Sequence, residues 1–138
     1  MVERLSTKEF RWTTYVDPNA VVSAYATLGD GCFVAPFSAL ADVDVAAHVK
    51  IVSHSVIGAR VRIGAFTTVG PHVTIASDTT IGANCMIGMG ARIAAGLQIG
   101  DGCAIAPNAV VRHDMPSDHI AVAEFRTRIV KRHSRKSQ

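Results

Sequence analysis

A branched aliphatic residue stands at every sixth position between Val45 and Val111, without interruption. A period of six fits neither the 3.6 residues of a helical turn nor the two-residue alternation of an extended strand. The positions are Val45, Ile51, Ile57, Ile63, Val69, Ile75, Ile81, Ile87, Ile93, Ile99, Ile105 and Val111. This period is typical of a chain that turns a corner every six residues, with three short strands in each coil and every aliphatic residue directed inward.

Residues eighteen positions apart should therefore stack on successive coils in three columns. The columns are Ile57, Ile75, Ile93 and Val111; then Val45, Ile63, Ile81 and Ile99; then Ile51, Val69, Ile87 and Ile105. Most of these residues are followed by Gly or Ala, which ease a tight corner, and four positions on the side chain is again small or apolar. The pattern predicts an all-β fold, a parallel β-helix of hexapeptide repeats with about five coils.

The early repeats, from Val16 to Leu40, also have a period of six but lie one residue out of phase with the later series. One side of one coil must therefore be a residue short. Either the side from Leu40 to Val45 is the short one, or the early phase continues and the short side runs from Val52 to Ile57. The two placements assign different positions within the repeat to the residues between Val45 and Ile57, and so predict different side-chain directions there.

Composition indicates one domain with a core of many small aliphatic residues, because the 138 residues are 49% hydrophobic but only 6% aromatic. We expect a leader over 1–15, the β-helix over 16–116, and a C-terminal cap with a basic tail over 117–138. The net charge of +3 hides a body over 1–125 with a charge of −3 and a tail with six basic residues, and because no aromatic residue interleaves these, nucleic acid is not the expected partner. Since the chain has neither a long apolar run nor the apolar stretch of a signal peptide, we expect no membrane span and a cytoplasmic location.

Two histidines within the repeats lie eighteen positions apart, His54 and His72, and should therefore stack on adjacent coils. A β-helix of this width has no internal cavity, so a site must lie on an outer face or between subunits. Histidine changes its protonation near neutral pH, and stacked imidazoles on an exposed edge could contain a general base or part of a metal site. They could equally be turn residues without a function.

The stretch from Ser53 to Pro116 resembles the left-handed β-helix acyltransferases, most of all the group of sialic-acid O-acetyltransferases and nucleotide-sugar N-acetyltransferases. The resemblance depends on the hexapeptides, on the block TTIGANCMIGMGARIAAGLQIG, and on the Val-Val-x-x-Asp-x-Pro exit from Val110 to Pro116. It implies a left-handed β-helix that assembles into a homotrimer and binds acetyl-CoA in the groove between neighbouring subunits. A histidine would act as general base towards an amine or hydroxyl of a sugar or nucleotide sugar, a backbone N–H would stabilise the oxyanion, and no metal would be needed.

The resemblance implies His54 as the base, with His72 in reserve. In the family, the base lies two residues after an inward aliphatic residue and is followed by Asp or Glu. His54 meets the first condition if the short side runs from Val52 to Ile57, and it is followed by Ser55, a weak substitute for the orienting acid. An ungapped alignment from the conserved block instead places Ala59 at the base position.

Cofactor contacts in the family come from backbone and small residues on later coils. The matching positions here are Thr68, Ser77, Met89, Gly90, Ala106 and Pro107. Thr68 replaces a second, cofactor-facing histidine, and Pro107 lacks the N–H of the usual glycine. The closing motif of the family is altered over 122–126, and its N-terminal nucleotide-sugar-binding domain has no counterpart, so the leader is expected to help hold the acceptor.

Two other functions are compatible with the same fold. The chain could be a scaffold or interaction solenoid that kept the fold and lost the site, as the residues at positions 55, 59 and 107 would allow. It could also be a zinc hydratase of the γ-carbonic anhydrase kind, with donors from His48, His54 and His72. Bound zinc with a near-tetrahedral set of histidines would indicate that third function.

Overall fold

The computed structural model describes residues 12–124 and 127–133, and these contain eighteen strands of two or three residues. The strands fall in rotation into three parallel sheets, here called A, B and C. Sheet A contains β1 (Tyr15–Val16), β4 (Phe33–Val34), β7 (Lys50–Ile51), β10 (Thr68–Val69), β13 (Met86–Ile87), β16 (Ala104–Ile105) and β18 (Ile120–Ala121). Sheet B contains β2 (Val21–Val22), β5 (Ala39–Leu40), β8 (Val56–Ile57), β11 (Thr74–Ile75), β14 (Arg92–Ile93) and β17 (Val110–Val111). Sheet C contains β3 (Thr27–Leu28), β6 (Val43–Val45), β9 (Val61–Ile63), β12 (Thr80–Ile81) and β15 (Gln98–Ile99).

The sheets form the three walls of a left-handed parallel β-helix, which confirms the predicted fold class. The helix has about six coils rather than the expected five or so, because regular pairing continues beyond the last hexapeptide. Met115 forms an isolated parallel bridge with Ile99, and β18 then pairs with β16 at the end of sheet A. The segment expected to form a cap thus contributes a strand to the solenoid itself.

The three aliphatic columns form as expected. Ile57, Ile75, Ile93 and Val111 align on sheet B, and the corresponding residues align on sheets A and C. All are buried, and burial of each such side chain contributes on the order of 1.5–3 kcal/mol. The residue four positions after each aliphatic from Val45 to Ile105 is buried too. Where this residue is Ser, Thr or Cys, its side chain donates a hydrogen bond to a backbone carbonyl of the next coil, as Thr67 does to Gly82 O at 2.8 Å.

The short side of the solenoid runs from Leu40 to Val45, which decides between the two placements left open by the sequence. Paired residues are eighteen positions apart before this side, as in Val22 with Leu40, and after it, as in Val45 with Ile63. They are seventeen apart where the chain between them contains this side, as in Leu40 with Ile57. The alternative placement from Val52 to Ile57 is therefore wrong.

Each corner contains a residue in the left-handed conformation, three positions after the inward aliphatic in the regular repeats. Such φ values are uncommon outside Gly, Asn and Asp, yet several histidines and phenylalanines adopt them here. We name the corners by the sheets they join: the AB corner contains Phe37, His54, His72, Gly90 and Asn108; the BC corner Arg60, Asp78 and Gly96; the CA corner Gly31, His48, Phe66, Asn84 and Gly102. Side chains at one corner stack upon each other from coil to coil.

Candidate active site at the AB corner

Six of the eight predicted site residues lie together on the AB corner, on successive coils. They are His54, His72, Met89, Gly90, Ala106 and Pro107. Thr68 lies close by, because it is the outward residue of β10 immediately before this corner. Ser77 does not join them: it lies on the BC corner, where its hydroxyl accepts a hydrogen bond from Ala59 N at 3.2 Å.

The two predicted histidines stack upon each other. The ring centroids of His54 and His72 are 4.8 Å apart with an interplanar angle of 12°, and the ring of Phe37 lies 5.2 Å from His54 on the other side. Both histidines are exposed, and both have a left-handed backbone, with φ of 62° and 56°. The predicted stacking is confirmed, and the result is a ladder of three rings along the corner that ends at His72.

The observed register changes how His54 relates to the family pattern. His54 lies three residues after the inward Ile51, not two, because the short side of the solenoid comes earlier in the chain. Ser55 cannot orient its ring, since the Ser55 hydroxyl is fully buried, donates to Gly70 O at 2.8 Å and accepts from Val73 N at 3.3 Å. The position two after the aliphatic on this coil is occupied by Ser53.

A groove opens where the ring ladder ends. Gly90 follows His72 in the corner stack and has no side chain to continue it, so a groove of about 420 Å³ forms between Gly90, Arg92, Asn108 and Val110. A Cβ atom at Gly90 would collide with Asn108 Oδ1, and φ at this residue is 71°. Both the space and the backbone conformation therefore favour glycine here.

Proline removes most of the backbone amides from the second position of the AB corner. Four of the five prolines of the chain occupy the second position of the AB corner (Pro18, Pro36, Pro71 and Pro107), leaving N–H groups only at Ser53 and Met89. On the other corners this amide bonds to a side chain one coil on only in some repeats, as Ala83 N does to Asp101 Oδ1 at 2.8 Å. Pro107 offers no such side chain, and Met89 N–H bonds to no acceptor within residues 12–124 and 127–133.

Charge is divided unevenly around the prism. In the described chain, from β2 onward, the outward residues of sheets A and B and the AB corner between them include Lys50, Arg92 and two histidines but no carboxylate. The carboxylates lie instead on sheet C, the two other corners and the C-terminal end. At the BC corner, the Asp78 carboxylate accepts from Arg60, and this hydrogen bond lowers the pKa of Asp78 and raises that of Arg60. The AB side is therefore the one suited to an anionic ligand.

The third histidine of the proposed zinc set lies elsewhere. His48 belongs to the CA corner, where its ring lies between Trp12 and Phe66 at centroid distances of 5.1 and 4.9 Å. Within the described ranges, no three His, Cys, Asp or Glu side chains are grouped so that they could hold a metal ion. A single chain therefore places His54 and His72 next to each other, and His48 on a different corner.

Sequence reasoning did not find Arg92, Asn108 or the open amide of Met89. Arg92 occupies the outward position of an ordinary repeat, so nothing local distinguishes it from other surface arginines. The prolines did carry a signal, because Pro18 and Pro36, and Pro71 and Pro107, are multiples of eighteen apart and so must share a corner. Of the described residues, none belongs to a helix long and apolar enough to cross a membrane.

Comparisons with known proteins agree with this fold. The family model described as bacterial transferase hexapeptide (six repeats) matches residues 54–88 and 78–113. No curated protein matches the chain in sequence. Among solved structures, the chain is similar to a histidine-to-asparagine variant of perosamine N-acetyltransferase from Caulobacter crescentus in complex with CoA and GDP-perosamine, with 28% identity and a TM-score of 0.83 over 88% of this chain and 59% of that one.

A second solved structure is the acetyltransferase domain of PglB from Neisseria gonorrhoeae in complex with acetyl coenzyme A, at 25% identity and a TM-score of 0.55 over 86% of this chain and 58% of that one. WeeI from Acinetobacter baumannii, at 22% identity and a TM-score of 0.79 over 86% of this chain and 59% of that one, supports the fold alone. The chain thus spans less than two thirds of the length of these proteins. Together the matches confirm the resemblance to hexapeptide-repeat acyltransferases.

Proposed function

We propose that this hexapeptide-repeat β-helix transfers an acetyl group from coenzyme A to an amine or hydroxyl of a sugar or nucleotide sugar, at the AB corner. The observation that carries the proposal is the end of the ring ladder: the exposed imidazole of His72 lies one coil before Gly90, which lines a groove together with Arg92, and the backbone amide of Met89, next to Gly90 in the chain, bonds to no acceptor in the described residues. The similarity to enzymes crystallised with CoA and GDP-perosamine supports the same chemistry.

His72 is the general base in this proposal, because it is the histidine one coil from Gly90, which lines the groove. Its imidazole takes the proton of the acceptor amine or hydroxyl as that group attacks the carbonyl carbon of the thioester. The same proton can then pass to the departing thiolate, so that the step yields an acetylated acceptor and free coenzyme A. His54 stacks against the far face of His72 and fixes its orientation, which makes His54 a positioning residue.

The acyl donor would be held by the groove and by the amide of Met89. A thioester supplies an activated carbonyl whose oxygen becomes negative as the acceptor attacks. Met89 N–H is available to donate to that oxygen, and preorganised donors of this kind contribute on the order of 10²–10³-fold in rate. Thr68, Ala106 and Pro107 would line the same corner, although Ala106 N–H is already bonded to Ala121 O at 2.8 Å and can contribute only its side chain.

A homotrimer would complete the site. The outward face of sheet A is mainly apolar, with Tyr15 and Phe33 stacked at 5.5 Å and Met86 and Ile120 more than half exposed. The outward residues of sheet C are polar and typical of a solvated wall. The apolar sheet A face and the AB corner would meet a neighbouring subunit, which would cover the open side of the groove.

Titration calorimetry with acetyl-CoA tests the proposal, together with sedimentation and zinc analysis of the same sample. We expect micromolar binding with about one site per subunit, a trimer, and no zinc requirement. A chain that remains monomeric at micromolar concentration and binds no acetyl-CoA would contradict the proposal.

A non-catalytic scaffold is the second candidate, and one observation favours it. In the described repeats the AB corner has no histidine two positions after an inward aliphatic, because that place is occupied by proline on four coils and by Ser53 and Met89 on the other two. A scaffold would form the same trimer without binding acetyl-CoA, so the calorimetric result separates the two functions.

A further inference from the structure

Arg92 differs from the other arginines of the solenoid in its surroundings. Its neighbours along the outward face of sheet B are Thr74 and Val110, and the groove adds Gly90 and Asn108, none of which is charged. By contrast, Arg60 is bonded to Asp78. In residues 12–124 and 127–133, the Arg60 pair is the only salt bridge, so Arg92 has no carboxylate partner there.

Arg62 provides the comparison that isolates this property. It occupies the same place in its repeat, immediately before the inward Ile63, and is likewise exposed. Arg62, however, pairs in register with Asp44, and the polar face of sheet C on which it lies also includes Asp42 and Arg60. Arg62 thus has an acidic residue beside it on its own sheet, whereas Arg92 borders a groove whose lining contains no carboxylate.

We infer that Arg92 binds the diphosphate group of a ligand in the AB groove and thereby positions that ligand against His72. A guanidinium presents a planar fork of donors that matches phosphate oxygens two at a time, and such charge-assisted hydrogen bonds are stronger than neutral ones. The groove is open to solvent on one side, which suits a charged, extended group. This inference rests on the proposed function, because it assigns a ligand contact within the same site.

A diphosphate could belong to coenzyme A or to a nucleotide-sugar acceptor, and titration calorimetry separates the two. The proteins to compare are wild type, Arg92→Gln and Arg62→Gln, each with CoA, with pantetheine, which has no phosphate, and with GDP. We expect Arg92→Gln to weaken binding of CoA or of GDP by about tenfold and to leave pantetheine unchanged. Arg62→Gln should bind all three as wild type does.

Each outcome has a defined meaning. Loss confined to CoA assigns the arginine to the acyl donor, and loss confined to GDP assigns it to the acceptor; both support the inference. Equal affinity of wild type and Arg92→Gln for both phosphate ligands overturns it while leaving the proposed function intact, as does an equal loss in Arg62→Gln. If wild type binds none of the ligands, the proposed function and the inference fail together.

Discussion

The AB and CA corners are built by the same repeat, yet their histidines have different surroundings. Each corner has a row of three rings in which a histidine with a left-handed backbone stacks on one neighbour and contacts the other at an angle. At the CA corner, His48 lies between Trp12 and Phe66, and Asn84 occupies the next coil. At the AB corner, the ladder ends at His72, and the next coil has Gly90, where Asn108 Oδ1 rather than a ring lies at the place of a Cβ atom. The residue eighteen positions later therefore decides whether a corner histidine is enclosed or borders a groove.

On the later coils the amides of the two corners differ in the same way, whereas Ala47 N and Ala65 N on earlier coils of the CA corner bond to no acceptor in the described residues either. At the CA corner, Ala83 N donates to the carboxylate of Asp101, and Asp101 N donates to the hydroxyl of Ser117 at 3.1 Å. At the AB corner, Pro107 follows Met89 and provides no acceptor. A corner whose polar groups are paired internally has little left for a ligand, whereas unpaired groups beside a groove are available for binding and catalysis.

The largest effect should come from replacing the histidine that ends the AB ladder. His72→Asn removes the imidazole but keeps a residue type that tolerates φ near 56°, as Asn108 does on the same corner. We expect acetyl transfer to fall by about 10²–10⁴-fold, the usual contribution of a general base. The measurement is the steady-state rate of CoA release with an acceptor that the wild-type enzyme uses.

His48→Asn is the matched control for this experiment, because it makes the same change at the same backbone conformation on the CA corner. It should retain activity within a few-fold of wild type. If both variants lose activity equally, or if His72→Asn keeps the wild-type rate, the contrast between the corners does not explain the catalytic role.

The next largest effect should follow from filling the groove. Gly90→Asn supplies a side chain in the left-handed conformation that Asn84 and Asn108 already adopt, and this side chain would displace the Asn108 amide and fill part of the groove. We expect acetyl-CoA affinity to fall by at least about tenfold, which corresponds to about 1.4 kcal/mol. Calorimetric titration measures the change.

Gly96→Asn controls for the backbone effect of the same substitution. Gly96 lies on the BC corner with φ of 73°, close to the 71° of Gly90, and a Cβ atom there would meet nothing within 4 Å. Its affinity for acetyl-CoA should equal that of wild type. Unchanged affinity in Gly90→Asn would show that the groove is not the ligand site.

Stability rather than activity should change when the enclosed histidine is replaced. His48 has rings on both sides, and aromatic pairs contribute roughly 0.5–1.5 kcal/mol each beyond the area they bury. His48→Asn should therefore lower the free energy of unfolding by about 1–2 kcal/mol, measured as the midpoint of urea denaturation. His113, which is exposed near the end of the solenoid, provides the control, because His113→Asn should leave the midpoint unchanged. A larger loss at His113 than at His48 would refute this view of the CA corner.

The interior of the solenoid could be predicted from the sequence because it repeats. Ile57, Ile75 and Ile93 stack as their spacing requires, since a period of six allows only one set of residues to face inward. The short side was ambiguous for the same reason: an apolar residue fits the inward position in either phase, and Val52 offers one in the wrong phase. Only strand pairing between Leu40 and Ile57 resolves it.

The outer surface could be predicted only in part, because it does not repeat. The stacking of His54 on His72 follows from their spacing, but the importance of Gly90 depends on an absent side chain. The importance of Arg92 depends on the absence of carboxylates from the described strands of sheets A and B, and the strands of each sheet are far apart in the sequence. Residues 1–11 of the leader, residues 125–126 of the altered motif and residues 134–138 of the tail lie outside the described residues. What was expected of these segments therefore stays a prediction.

The smallest effect belongs to the BC corner, where charge is already paired. The hydrogen bond from Arg60 lowers the pKa of the Asp78 carboxyl, so the pair stabilises the fold fully above about pH 4, where the carboxyl of the unfolded chain is also ionised. This stabilisation is lost as the pH falls through the lowered pKa of the folded state. Both side chains are more than half exposed and screened by solvent and salt, which keeps the contribution small.

Asp78→Asn should therefore lower the melting temperature slightly at pH 7 in low salt, and leave acetyl-CoA binding unchanged. The difference from wild type should shrink in 1 M salt and disappear in acid, because protonated aspartate and asparagine both lack the charge. A loss of ligand binding in this variant would place part of the site on the BC corner, beside Ser77, and would remove the distinction between a corner whose charges pair internally and a corner that leaves them for a ligand.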